Sequence, residues 1–171
     1  MFARVRSQKV VSVDRVEFPN SMPIKQVWEI PTDYPLEFYH AGKIYYRVNT
    51  VTVSEDRDYT LKSADEVKEL ILQQQKEKRQ KMQLGSFMVG QMEVYLKDRE
   101  DSLIISSLSE ADTRYKVGQG QWVTLTPSDI VALKAAHHAH VQAAYDWEMV
   151  ENEKVLAMTA LDELAEYFNN G

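Results

Sequence analysis

Residues 126–157 read TPSDIVALKAAHHAHVQAAYDWEMVENEKVLA, and they open with helix-start signals. The Thr126 hydroxyl can accept from the free amides of a first turn. Pro127 suits the first helical position, where its missing N–H would be unbonded anyway, and Asp129 is favoured by the positive end of the helix dipole. Ile130, Leu133, His137, Val141 and Ala144 recur at helical spacing on one stripe. Ala132, Ala135, Ala136, Ala139 and Ala143 favour helix intrinsically and allow close approach of a neighbouring helix. The helix is predicted to run to about Ala157. Thr159 then begins a second capping arrangement, for a short terminal helix with Leu161, Leu164, Ala165 and Phe168 as its apolar face.

Upstream, Tyr115-Lys116-Val117, Gly118-Gln119-Gly120 and Gln121-Trp122-Val123-Thr124-Leu125 have the form of a hairpin. Before that, Leu103, Ile104, Ser107 and Leu108 show helical spacing after Asp101 or Ser102, and Phe87 to Tyr95, with Gly90 midway, reads as a strand pair or a bulged strand. Gly85 suits the end of a helix. That helix starts at Ser63, which can cap with Glu66, and carries a brief apolar stripe of Val67, Leu70 and Ile71. From Gln73 to Lys81 the sequence is QQQKEKRQK, with no apolar residue, so burial is not expected there. The segment is read as a solvated connector in preference to one strand of a bundle with polar core layers.

The first sixty residues read as a small β-rich module. Residues 2 to 18 alternate loosely, with Ser7-Gln8 as a turn in an edge hairpin. Pro19, Pro23, Pro31 and Pro35 limit the segment from Ile24 to Ile30 to a short strand or a helical turn or two. Leu36 to His40, Ala41-Gly42 and Lys43 to Val53 give a hairpin signal, with Ala41-Gly42 as a two-residue turn. Ser54 to Asp58 is polar and reads as a linker. The expected architecture is therefore α+β: a β-rich module over 1–60, a connecting helix over 61–84, and a mainly helical domain with hairpins over 85–171.

Composition excludes several chemistries. The chain has 171 residues, of which 44% are hydrophobic and 27% charged, which suits a packed globular protein rather than a disordered one. It has no cysteine, which removes disulfides, thiolate zinc sites, iron–sulfur clusters and cysteine nucleophiles. The net charge of −6 argues against general affinity for nucleic acid or anionic membranes. Acidity is concentrated late: residues 101–171 hold 4 basic and 11 acidic side chains, against 9 and 8 in residues 1–62. No secretion signal and no membrane-spanning run is read, so synthesis and residence in the cytoplasm, or export within an assembly, are expected.

From about residue 63 to 168 the chain resembles a family of phage tail and tail-fibre-associated proteins that end in a domain of unknown function. The resemblance rests on KEKRQKMQLGSFMVGQMEVY, the helix around Leu103 to Leu108, WVTLTPSDIVAL, the Ala-rich stretch to Ala157, and TALDELAEYF. It implies a non-enzymatic virion tail component at the baseplate or fibre attachment, made in the host cytoplasm. Other tail or fibre proteins would be its partners, and it would commonly be a homo-oligomer. A tail-fibre assembly chaperone is the alternative. The family supplies no functional residue set.

Among the residues themselves, His137, His138 and His140 are the one constellation that suggests a metal. His137 and His140, three apart, can share a helix face while His138 points elsewhere, so at most two ligands arise, without the HExxH pattern of a zinc protease. A His-dependent metalloenzyme is a third reading, but no metal and no cofactor is expected; His137 is assigned instead to an interface. Lys76, Lys78, Arg79 and Lys81 lack interleaved aromatics and read as a solvated face, or as one salt-bridged to the acidic helices, rather than a nucleic-acid site. Phe38, Tyr39, Tyr45 and Tyr46, with Trp122 and His137, are the expected protein contacts, because Tyr and Trp commonly anchor interfaces.

Overall fold

Val- and Tyr-rich segments early in the chain assemble into one sheet. The computed structural model describes residues 2–6, 9–14, 21–26, 29, 31–48, 52–109, 113–117 and 121–170. Strands β1 (Phe2–Arg6), β2 (Lys9–Asp14), β3 (Ser21–Gln26), β4 (Tyr39–Val48) and β5 (Val53–Leu61) lie in the order β2-β1-β3-β5-β4. β1 and β2 form the expected antiparallel hairpin, and β3 pairs antiparallel with β1 and parallel with β5. The Ser7-Gln8 turn and Pro19 lie outside the described residues. The outer strands β2 and β4 approach each other, so the sheet curls.

Two expectations for this sheet are corrected. Ala41-Gly42 is not a turn: it lies inside β4, where the register against β5 shifts between Ala41 and Ile44. A Cβ on Gly42 would stand 3.0 Å from the Asp58 carbonyl oxygen, so this glycine marks a close backbone approach at a bulge. Residues 54–58 are not a linker but the body of β5. Their charges are tolerated because most of this strand is only partly covered, and Asp56 faces Arg47 at 3.6 Å.

The chain divides into two compact units, Met1–Val67 with Ala160–Gly171, and Lys68–Thr159. In the first, the terminal helix α4 (Leu161–Asn170) buries Leu164 and Ala165. Phe38, in a 3-10 turn at Leu36–Phe38, is fully buried. The Phe168 ring meets it edge-on at 5.2 Å, and the Tyr34 hydroxyl donates to Asp162 at 2.7 Å. Phe38 is thus a core residue and not the protein contact the sequence suggested.

Helix α1 (Ala64–Met82) has its first turn in the first unit and the remainder in the second. Its predicted capping box is present: the Ser63 amide donates to Glu66 at 2.8 Å and the Glu66 amide to the Ser63 hydroxyl at 3.3 Å. Helix α2 (Arg99–Ser107) begins earlier than expected, because Asp98 and Asp101 form a reciprocal capping box. Its buried residue is Ile105, while Leu103 and Ile104 are exposed.

β6 (Gly85–Val89) and β7 (Met92–Leu96) pair around Gly90, whose φ of +61° suits glycine. β8 (Thr113–Val117) and β9 (Gln121–Leu125) form the second hairpin, whose Gly118-Gln119-Gly120 tip lies outside the described residues. The alternation is regular: Val94, Leu96, Tyr115, Val117 and Leu125 face a core completed by Ile105 and by Ile130 and Leu133 of α3 (Pro127–Ala157). α3 begins and ends where the sequence places it, with Thr126 and Asp129 capping reciprocally. Ala132, Ala135, Ala139 and Ala143 are exposed and Ala136 only half-buried, so these alanines supply helix propensity, not the close packing expected of them.

Candidate functional site

In the second unit, the polar run of α1 is where the sequence reading and the structure part most sharply. Val67, Ile71, Gln75 and Arg79 repeat every four residues, and all four are buried, Gln75 at 5% and Arg79 at 9% exposure. One face of the QQQKEKRQK segment, Gln75 and Arg79, is therefore buried, while its other residues are exposed as a solvated connector would be. The buried row continues the apolar stripe with polar side chains, and Arg79 finds its partners on α3. Arg79 Nε stands 2.8 Å from Glu148 Oε2, its guanidinium lies 4.5 Å from the centre of the Tyr145 ring, and Nη1 donates to Gln83 at 3.1 Å. Lys78 reaches over the Trp147 ring at 5.2 Å, and Lys68 donates to the Leu156 carbonyl at 3.4 Å. These pairings run in opposite directions along the two helices, so α1 and α3 are antiparallel, with the salt-bridged face the sequence held as one alternative.

Beside this layer lie the histidines. His137 and His140 share a face, as their spacing requires, and both meet Phe87: the His140 ring stacks at 5.3 Å and the His137 ring tilts at 6.0 Å. The Nε2 atoms of both are buried with no hydrogen-bond partner among the described residues. Burial, followed by the nearby His140 and His138, pushes the His137 imidazole below its ordinary value. His138 is exposed. Among the described residues no group of three His, Asp or Glu side chains is arranged to hold a metal ion. The interface assigned to His137 is an internal one, against Phe87.

A hollow of about 570 Å³ opens where α1, α2 and α3 converge. Arg79, Gln80 and Gln83 reach it from α1 and the residue after it, Arg99 and Ser102 from α2, and His137, Val141 and Tyr145 from α3. A smaller hollow of about 320 Å³ shares His137 and Val141 and adds Lys134, whose ammonium donates to the Leu108 carbonyl at 2.7 Å. The sequence reading took Ser102 only as a possible helix start and did not mark Arg99; the missed signal was the Asp98 cap, which sets the first turn of α2.

The expected contact residues separate. Tyr39 is half-buried and meets Tyr59 edge-on at 6.4 Å. Tyr46 is half-buried opposite Glu55, and burial and that carboxylate raise its hydroxyl above the usual tyrosine value. Glu55, itself buried, also accepts from Gln26 at 3.3 Å. Tyr45 is half exposed, beside Ile44. Trp122, in the second unit, is 67% exposed on the outward face of the hairpins, which also carries Tyr95 at 58% and Met88 at 56%. Tyr95 and Met88 escaped the sequence reading because the inward or outward sense of β6 and β7 depends on their register. Among the described residues no helix is long and apolar enough to cross a membrane. No protein-family model matches the chain, and no curated protein and no solved structure matches it.

Proposed function

We propose that the chain is a non-enzymatic structural component of a bacteriophage tail, at the baseplate or the fibre attachment, acting through protein–protein contacts. The tail setting rests on the resemblance over residues 63–168. The contact role rests on one observation: Trp122, with Tyr95 and Met88, stands outward on the hairpins, and exposed Trp, Tyr and Met are what interface cores are enriched in. Its partners are other tail or fibre proteins, and the chain associates with copies of itself.

Mass spectrometry of purified tailed particles tests the setting. A stoichiometric share of the chain supports the reading. Absence from particles whose fibres fail to assemble when the gene is deleted would replace it with an assembly chaperone. Light scattering after size exclusion checks self-association, which a stable monomer at micromolar concentration would exclude. Trp122→Ala is expected to weaken capture of the tail partner at least tenfold while the thermal midpoint holds; unchanged capture would remove Trp122 from the contact.

A further inference from the structure

We propose that the hollow where α1, α2 and α3 converge binds a carboxylate carried on an apolar organic body, a site independent of the tail reading. At about 570 Å³ the space falls within the range of small-ligand pockets and exceeds what a lone inorganic oxyanion fills. Its polar lining holds two guanidinium groups, which only donate, together with the amides of Gln80 and Gln83 and the Ser102 hydroxyl, and no carboxylate is among the lining residues. In a chain of net charge −6 that lining favours an anion. Leu84, Val141 and Tyr145 supply the apolar wall.

The charge count chooses among anions. Arg79 is already balanced by Glu148 at 2.8 Å, whereas Arg99 makes no ion pair among the described residues, so the hollow has one positive charge to spare. A monocarboxylate matches it; a phosphate dianion calls for more. Arg79 adds geometry. With Nε within ion-pair distance of Glu148, Nη1 donating to Gln83 and its face against Tyr145, the guanidinium is fixed before any ligand arrives. Its buried Nε makes no hydrogen bond among the described residues. A fixed donor loses little freedom on binding. His137, which also lines the hollow, carries a buried Nε2 with no partner among the described residues, a second group whose hydrogen-bonding capacity is unspent.

The test is titration of the full chain with benzoate, read by backbone amide and histidine ring resonances. Saturable binding on the order of 1 mM is expected, with shifts centred on Arg99, Ser102 and His137. Benzamide, equal in shape and uncharged, gives none. Arg99→Gln weakens benzoate at least tenfold, and because Arg99 is exposed the thermal midpoint stays in place, which separates lost binding from lost fold. A peptide ending in phenylalanine, with a free or amidated terminus, distinguishes the source: tighter binding of the free form than of benzoate assigns the site to a protein terminus, and weaker binding assigns it to a small acid. Equal shifts with benzamide, inorganic phosphate binding as tightly as benzoate, or an Arg99→Gln variant that binds as well as the parent would overturn the proposal.

Discussion

The two halves of α3 are covered by opposite chemistries. From Ile130 to Val141 the helix lies against α2, β6 and β9 and sends Ile130 and Leu133 into a largely apolar cluster. From Ala144 to Val155 its inward side meets α1 through Arg79 and Glu148, through Lys78 over Trp147 and through Lys68 at the Leu156 carbonyl, with only Ala144 and Val155 as buried apolar residues. Apolar burial is non-directional and scales with area, so the first half contributes stability without naming which neighbour each residue must face. Ion pairs and hydrogen bonds are directional: they contribute less after desolvation, but they fix which turn of α1 lies beside which turn of α3.

Truncation on the apolar side is expected to have the largest effect. Leu133 is fully buried among residues that cannot all move inward, so Leu133→Ala should cost about 4 kcal/mol, combining lost transfer energy with a residual cavity. Urea unfolding measures it, and a loss under about 1 kcal/mol would show that this half is loosely packed. On the polar side Glu148→Gln should cost about 2 kcal/mol, because Arg79 keeps Gln83 and Tyr145 but loses its countercharge in a nearly closed position. Replacing both partners, as Arg79→Met with Glu148→Leu, should recover most of that loss. A double variant as unstable as the single one would mean that the pair contributes net stability and not only register. Smaller again is Thr126→Ala, which removes the cap common to both halves and should cost about 1 kcal/mol in the same measurement.

The apolar half was also the legible one. Thr126, Pro127 and Asp129 act within one turn, so local sequence placed the start of α3, and Ile130 and Leu133 announced their burial by spacing. Gln75 and Arg79 gave no such notice. Hydropathy treats a glutamine and an arginine as surface, and only Glu148, sixty-nine positions from Arg79 and brought to it by the antiparallel pairing of the helices, makes the arginine a core residue. The four-residue row Val67, Ile71, Gln75, Arg79 was present in the spacing all along, but residue type outweighed period. In β4 the failure was of another kind. A Gly-containing dipeptide between aromatic runs signals a turn on local grounds, and only the close approach of the Asp58 carbonyl, set by pairing with β5, makes Gly42 part of a bulge. The hollow was least legible, since Arg79, Arg99 and His137 come from three helices and no local pattern links them.

His137 stands at the changeover between the two halves, and pH should reveal it with the smallest effect of the set. Its imidazole is held below the ordinary 6.5, first by burial and then by the neighbouring histidines, so the folded chain binds this proton less readily than the unfolded chain. The contribution of the neutral ring is therefore complete above about pH 6.5 and is lost as pH falls from there toward the lowered folded value. Glu66, in the other unit, works in a separate window. The Ser63 amide and hydroxyl, and then His40, hold its carboxyl down at about 2, so its contribution is complete above the ordinary 4.5 and declines as pH falls toward 2. Urea midpoints measured from pH 8 to pH 3 should thus fall in two stages. His137→Phe, which keeps a ring against Phe87, should flatten the upper stage and leave the lower one, whereas Glu66→Gln should do the reverse. If the parent chain keeps a constant midpoint between pH 7 and 5, the buried Nε2 of His137 costs nothing to protonate, and the boundary between the two halves of α3 is wetter than its geometry indicates.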